Sequence, residues 1–91
     1  GRWIAFSHLI KRKFHIALVD PAGENYHRIT YNSGDNETPS WSPDSRYVVF
    51  VHTVGKRSEL RVWSADWQKL NLPAEQVLSK SDRLEAPVWE P

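Results

Sequence analysis

Thr38-Pro39-Ser40-Trp41-Ser42-Pro43-Asp44-Ser45-Arg46-Tyr47-Val48-Val49-Phe50 decides how this chain is read. Proline, serine and aspartate at residues 42–45 spell a tight turn. Pro43 fixes φ and removes an amide donor, and Asp44 is suited to accept from the backbone ahead of it. On one side stands a large aromatic, Trp41. On the other runs Tyr47-Val48-Val49-Phe50-Val51, apolar on both alternating faces. A strand in a one-sided sheet alternates, whereas one sandwiched between two layers is apolar throughout.

Working outward, the stretch repeats. Gly1-Arg2-Trp3-Ile4-Ala5-Phe6 matches Ser45-Arg46-Tyr47-Val48-Val49-Phe50, and His15-Ile16-Ala17-Leu18-Val19 matches Glu59-Leu60-Arg61-Val62-Trp63. Thr38-Pro39-Ser40-Trp41-Ser42-Pro43 matches Ala86-Pro87-Val88-Trp89-Glu90-Pro91, with four added residues falling around 67–73. A period of roughly 44 to 48 residues suits a propeller blade or a helical repeat. Short β-branched and aromatic stretches between turn residues select strands, and no stretch keeps a 3.6-residue apolar period for ten residues. The expected class is all-β: two four-stranded antiparallel blades of a propeller, with repeats at about 1–43 and 44–91. Inner strands are expected at residues 39–42 and 87–90, second strands at 2–7 and 46–52, third strands at 14–20 and 59–64, and outer strands at 26–30 and 76–78. Two blades leave two apolar faces open. The expected partners therefore include further blades, in a six-bladed ring, or further copies of the chain. Starting at Gly1 and lacking Met, the sequence reads as a processed or excised piece.

Composition narrows the function. Twelve basic and eleven acidic residues leave a net charge of +1, which disfavours a nucleic-acid binder. The absence of cysteine excludes a disulfide scaffold and a thiol nucleophile. No apolar run reaches the roughly 20 residues of a membrane span, so no membrane insertion is expected. His8, His15, His27 and His52 lack metal-site spacing, and no Gly-x-Ser-x-Gly elbow is present. No catalytic residue, metal or cofactor is expected. The carboxylates Asp35, Glu37, Asp44, Asp66, Asp82 and Glu85 read as turn caps. Lys11-Arg12-Lys13, with Lys56-Arg57 in the matching loop, reads as solvated loop charge or as a basic crest that steers an acidic partner. Trp3, Trp41 and Trp89 fall at repeat-locked positions where they pack between blades. Trp67, in the inserted loop, is the candidate for an exposed anchor.

The turn sequence resembles the Pro-x-Trp-Ser-Pro-Asp-Gly repeat of TolB-like propellers, with Ser45 where that family has Gly and Gly1 at that place in the first copy. Asn36-Glu37-Thr38-Pro39-Ser40 is similar to the family's lead-in, and the ending Ala86–Pro91 to its C-terminal motif. Trp67, Glu90 and the four-residue insertion depart from the pattern. The resemblance implies a non-catalytic, periplasmic protein-binding propeller. It would dock a peptidoglycan-associated lipoprotein in the Tol–Pal system and support outer-membrane integrity and cell division. The residues preceding Pro-x-Trp lie on the binding face in that family. The matching positions are Asn36, Glu37 and Thr38 in one blade and Leu84, Glu85 and Ala86 in the other. TolB-like repeats also form the gating propellers of prolyl-oligopeptidase-like serine peptidases, and a self-assembling two-blade unit is a third reading.

Overall fold

The computed structural model describes residues 3–70 and 75–81. The strand expected at residues 87–90 and the candidate site residues Leu84, Glu85 and Ala86 lie outside them. Strands β1 (Ile4–Ile10), β2 (Lys13–Val19) and β3 (His27–Arg28) form one antiparallel sheet in that order. Strands β4 (Asp35–Trp41), β5 (Val48–Val54), β6 (Arg57–Trp63) and β7 (Glu75–Ser81) form a second antiparallel sheet, also in chain order. A single helical turn, α1 (Ala65–Lys69), lies between β6 and β7. The fold is all-β, with two sheets of the kind that make propeller blades.

The Trp41–Phe50 stretch behaves as its residues dictate. Asp44 Oδ1 accepts from the amide of Arg46 at 3.1 Å and from Ser42 Oγ at 2.5 Å, and Ser42 Oγ accepts from the amide of Tyr47 at 3.1 Å. The amide of Ser45 donates to the carbonyl of Ser42 at 2.9 Å. Ser45 takes a φ of 61°, the left-handed conformation that makes Gly the easier residue there. The turn feeds β5, in which Val48, Val49, Phe50, Val51 and His52 are all buried.

β1 and β2 pack on β4. Between the sheets, Ile16, Leu18 and Ile29 meet Val48, Phe50 and Trp63, with Ala5 and Trp41 against the cluster. Trp41 is thus the inter-sheet wedge that the sequence implied. Burying aliphatic and aromatic side chains of this size contributes about 1.5–3 kcal/mol each.

The repeat exposes an asymmetry. Ala5 faces the second sheet, so Ile4, Phe6 and His8 lie on the opposite face of β1. Their repeat equivalents Val48, Phe50 and His52 face the first sheet and are buried. Ile4 is 49% exposed where Val48 is fully buried. On this face, which no described sheet covers, Phe6, His8 and Tyr26 cluster, with rings 5.4–6.3 Å apart and His8 Nδ1 2.9 Å from the Tyr26 hydroxyl.

The first sheet has three described strands where four were expected, and three local features also differ from the sequence expectation. β4 begins at Asp35, four residues earlier than expected, because a bulge between Glu37 and Ser40 breaks its alternation. The segment after Trp63 contains α1, whose start is capped by Ser64 Oγ accepting from the amide of Asp66 at 3.2 Å. Trp67 is half-buried, its ring 5.7 Å from that of Tyr47, rather than standing free in a loop.

Candidate functional site

β4 is an edge strand of its sheet, and its Asp35 end gathers three connections. The β1–β2 turn holds Lys11 and Arg12, residues 29–34 lead from β3 into β4, and the β5–β6 turn holds Gly55 and Lys56. They meet for definable reasons. The amide of Phe14 donates to Asp35 Oδ1 at 2.9 Å, and Lys13 Nζ lies 3.8 Å from Asp35 Oδ2. Asp35 is paired with Thr53 one residue short of the second turn. Gly34 is buried so tightly that a Cβ there would stand 2.5 Å from His52 Cε1 and 2.7 Å from the carbonyl of Thr53.

Asn36 organises this end from inside. Its side chain is 0% exposed. Its Nδ2 donates to Asn32 Oδ1 at 3.0 Å and to the carbonyl of Phe14 at 3.1 Å. Its Oδ1 accepts from Asn32 Nδ2 at 2.8 Å and from His52 Nδ1 at 3.0 Å. One amide thereby ties the first sheet, the incoming loop and β5 together, and every polar atom is satisfied despite burial. Asn32 Nδ2 also reaches Glu75 Oε1 at 3.2 Å, and Glu75 pairs with Arg61, which is also held by Glu59 Oε1.

Two buried histidines flank Asn36. His52 donates from Nδ1 to Asn36 Oδ1. His15 Nδ1 lies 3.0 Å from Thr30 Oγ1, which accepts the amide of Ile16 at 2.9 Å. Burial holds the pKa of each below the ordinary histidine value. Arg28 reinforces this at His15 and Arg61 at His52, against weaker opposing pulls from nearby carboxylates. His52 is therefore a buried structural group, unlike exposed His8 at the matching repeat position.

Of the three described candidate residues, the structure brings Glu37 and Thr38 to the surface and encloses Asn36. Thr38 has a φ of 51° within the bulge, and its hydroxyl donates to the carbonyl of Glu37 at 2.7 Å. The bulge turns these two residues outward while Asn36 stays anchored one position away. Sequence reasoning passed over Tyr31, which is 72% exposed on the incoming loop. The Arg28 guanidinium sits 4.4 Å from its ring centre and its hydroxyl donates to the Arg28 carbonyl at 3.3 Å. The signal was available: an aromatic residue in an otherwise turn-forming Tyr-Asn-Ser-Gly-Asp run.

The opposite end carries a cleft of about 440 Å³, walled by Trp3, Trp41 and Trp63 with Arg46 and Asp66 at its polar side. Trp41 Nε1 is buried without a hydrogen-bond partner. Among the described residues, no three His, Asp or Glu side chains are grouped to hold a metal ion, and no helix is long and apolar enough to cross a membrane.

The chain is 37% identical over 71 residues to the Tol-Pal system protein TolB of Nitratidesulfovibrio vulgaris, covering 75% of the chain and 16% of that protein. It is 33% identical over 87 residues to TolB 1 of Novosphingobium aromaticivorans, covering 96% and 18%. Against TolB of Hydrogenovibrio crunogenus it is 29% identical over 92 residues, covering 100% and 20%. The chain thus spans 16 to 20% of the length of these relatives. No protein-family profile and no solved structure matches it. Two packed antiparallel sheets, the Trp-Ser-Pro-Asp turn between β4 and β5, and this likeness along most of the sequence identify the chain as a TolB-like β-propeller segment.

Proposed function

We propose that the Asp35 end of β4 docks a protein of the Tol–Pal system, a peptidoglycan-associated lipoprotein in the periplasm, and that the chain is a non-catalytic binding element serving outer-membrane integrity and cell division. The observation that carries the reading is the division of labour in Asn36-Glu37-Thr38. A fully enclosed amide pins the strand, and the next two residues stand exposed at a bulge. Rigid strands that present exposed loop and bulge residues form a binding surface at low ordering cost. Glu37 and Thr38 make the contacts in this reading, with Tyr31 as an aromatic anchor, and Asn36 positions them. Leu84, Glu85 and Ala86 are their proposed counterparts in the next repeat. The relatives' names, all Tol-Pal system proteins, supply the class of partner.

The face of β1 that carries Ile4, Phe6 and His8, on which no described sheet packs, supports a further part of the proposal. The repeat equivalents of these residues are covered by a neighbouring sheet, so the first sheet is itself the neighbour of another blade in a ring.

The test is binding of the purified lipoprotein domain to Glu37→Lys and Thr38→Ile variants. Both are expected to lose at least tenfold in affinity, about 1.4 kcal/mol, with the β circular dichroism unchanged. Unaltered affinity in both removes this site assignment.

A further inference from the structure

We propose that the Lys11-Arg12 and Gly55-Lys56 turns form a cationic crest that recruits an acidic protein surface. This rests on the docking reading above and adds the charge of the partner and the residues that attract it. The β1–β2 connection is two residues long, and both central residues have left-handed φ, 49° at Lys11 and 71° at Arg12. That geometry favours Asn-Gly, because a side chain at such a φ crowds its own backbone. Two adjacent cations also repel. Local sterics and local electrostatics therefore both oppose Lys-Arg at this tip. Residues that a turn disfavours on both counts point to a demand from outside the fold.

The matching turn places Gly55 at a φ of 58° and Lys56 beside it. Both turns are fixed to the Asp35 end of β4, one through Phe14 and Lys13 on the Asp35 carboxylate, the other through the Asp35–Thr53 pairing. They flank Asp35 in consequence, with Glu37 and Thr38 two and three residues farther along β4. Lys11, Arg12 and Lys56 are exposed and make no ion pair among the described residues. Asp35 is engaged by Lys13 and the Phe14 amide and does not neutralise them. A charged rim of this kind acts on encounter, raising the association rate for a partner of opposite sign. The partner is a protein surface rather than a nucleic acid. The chain carries a net charge of only +1, too small for the counterion-driven binding of a phosphate backbone.

The experiment follows association of the protein with the lipoprotein domain by stopped flow, at about 0.05 M and about 0.5 M salt, between which screening tightens severalfold. The Lys11→Asn/Arg12→Gly variant gives the turn its preferred residues, so it folds at least as well as the native sequence. Lys56→Glu tests the second turn. Each is expected to slow association about tenfold at low salt, with the difference closing at high salt. Glu37→Lys, which adds charge of the crest's own sign, is expected to speed association while speeding dissociation more. Binding with rates untouched by both crest variants overturns the crest and leaves the docking reading standing. Failure of the native protein to bind the lipoprotein overturns the docking reading. The crest is then judged with a decaglutamate peptide: salt-sensitive binding lost in the double variant sustains it. No binding, or tighter binding to duplex DNA or to phosphatidylglycerol vesicles, overturns it.

Discussion

His52 donates from Nδ1 to the side-chain oxygen of Asn36 at 3.0 Å, joining β5 to the edge strand β4 beside it in an enclosed setting. The same amide reaches the carbonyl of Phe14 in the other sheet. Loss of this amide strands partners on both sides, and a buried polar group without a partner costs about 1–3 kcal/mol. Asn36→Ala is therefore expected to destabilise the protein by about 3 kcal/mol, and Asn36→Asp by a similar amount, since a buried carboxylate faces a carbonyl at Phe14. Urea denaturation curves check both values. A loss under about 0.5 kcal/mol in each case would show that Asn36 organises nothing.

The two buried histidines give a pH dependence of definite sign. The pKa of each is lowered on folding from an ordinary value of 6.5, chiefly by burial. The unfolded chain then binds more protons than the native one as pH falls through 6.5, so stability is complete above that value and declines below it. Thermal melts are expected to show a midpoint that is flat from pH 8 to 7 and falls between pH 6.5 and 5. In His15→Gln/His52→Gln the fall should flatten. A midpoint rising over that interval contradicts the burial of neutral imidazoles.

Gly34 is held by close approach. An added Cβ meets His52 Cε1, the carbonyl of Thr53 and Val54 Cγ2 within 2.8 Å. Backbone cannot yield as a side chain can, and overpacking of this kind costs typically 1–3 kcal/mol. Gly34→Ala is expected to lose about 2 kcal/mol in denaturant titration and to weaken partner binding by displacing the incoming loop. Native stability in this variant would mean that the loop is free to move off β5.

Ser45→Gly is expected to stabilise. The φ of 61° carries a steric cost for an L side chain of about 1 kcal/mol that Gly avoids. The Asp44 and Ser42 bonds of the turn do not involve the Ser45 side chain. A gain of about 0.5–1 kcal/mol, read from the denaturation midpoint, is the expected result; a loss would assign the Ser45 hydroxyl a role of its own.

What the sequence disclosed and what it hid have a common physical basis. The continuous apolar run of β5 and the Trp41–Asp44 turn were legible because burial on two faces and tight-turn chemistry each need particular residue types. The start of β4 was not, because Asp35-Asn36-Glu37 has no hydrophobic alternation and a bulge follows. Asn36 resembled a surface residue in sequence, since polarity does not reveal that four hydrogen bonds enclose it. His8 and His52 were equivalent by repeat and are opposite in burial, because the difference lies in whether a neighbouring sheet covers them. Helix α1 is one turn long, too short to impress a period on the sequence. Of the candidate site, Glu37 and Thr38 are exposed and Asn36 is enclosed, and their partner is the proposal made above.

Hydrogen exchange of the protein with and without the bound lipoprotein domain tests the central claim most directly, because it reports which end of the sheets the partner covers. The account predicts new protection confined to residues 10–14, 31–38 and 54–57. Protection instead at residues 43–46 and 64–69, around the tryptophan-walled cleft at the other end, would contradict it.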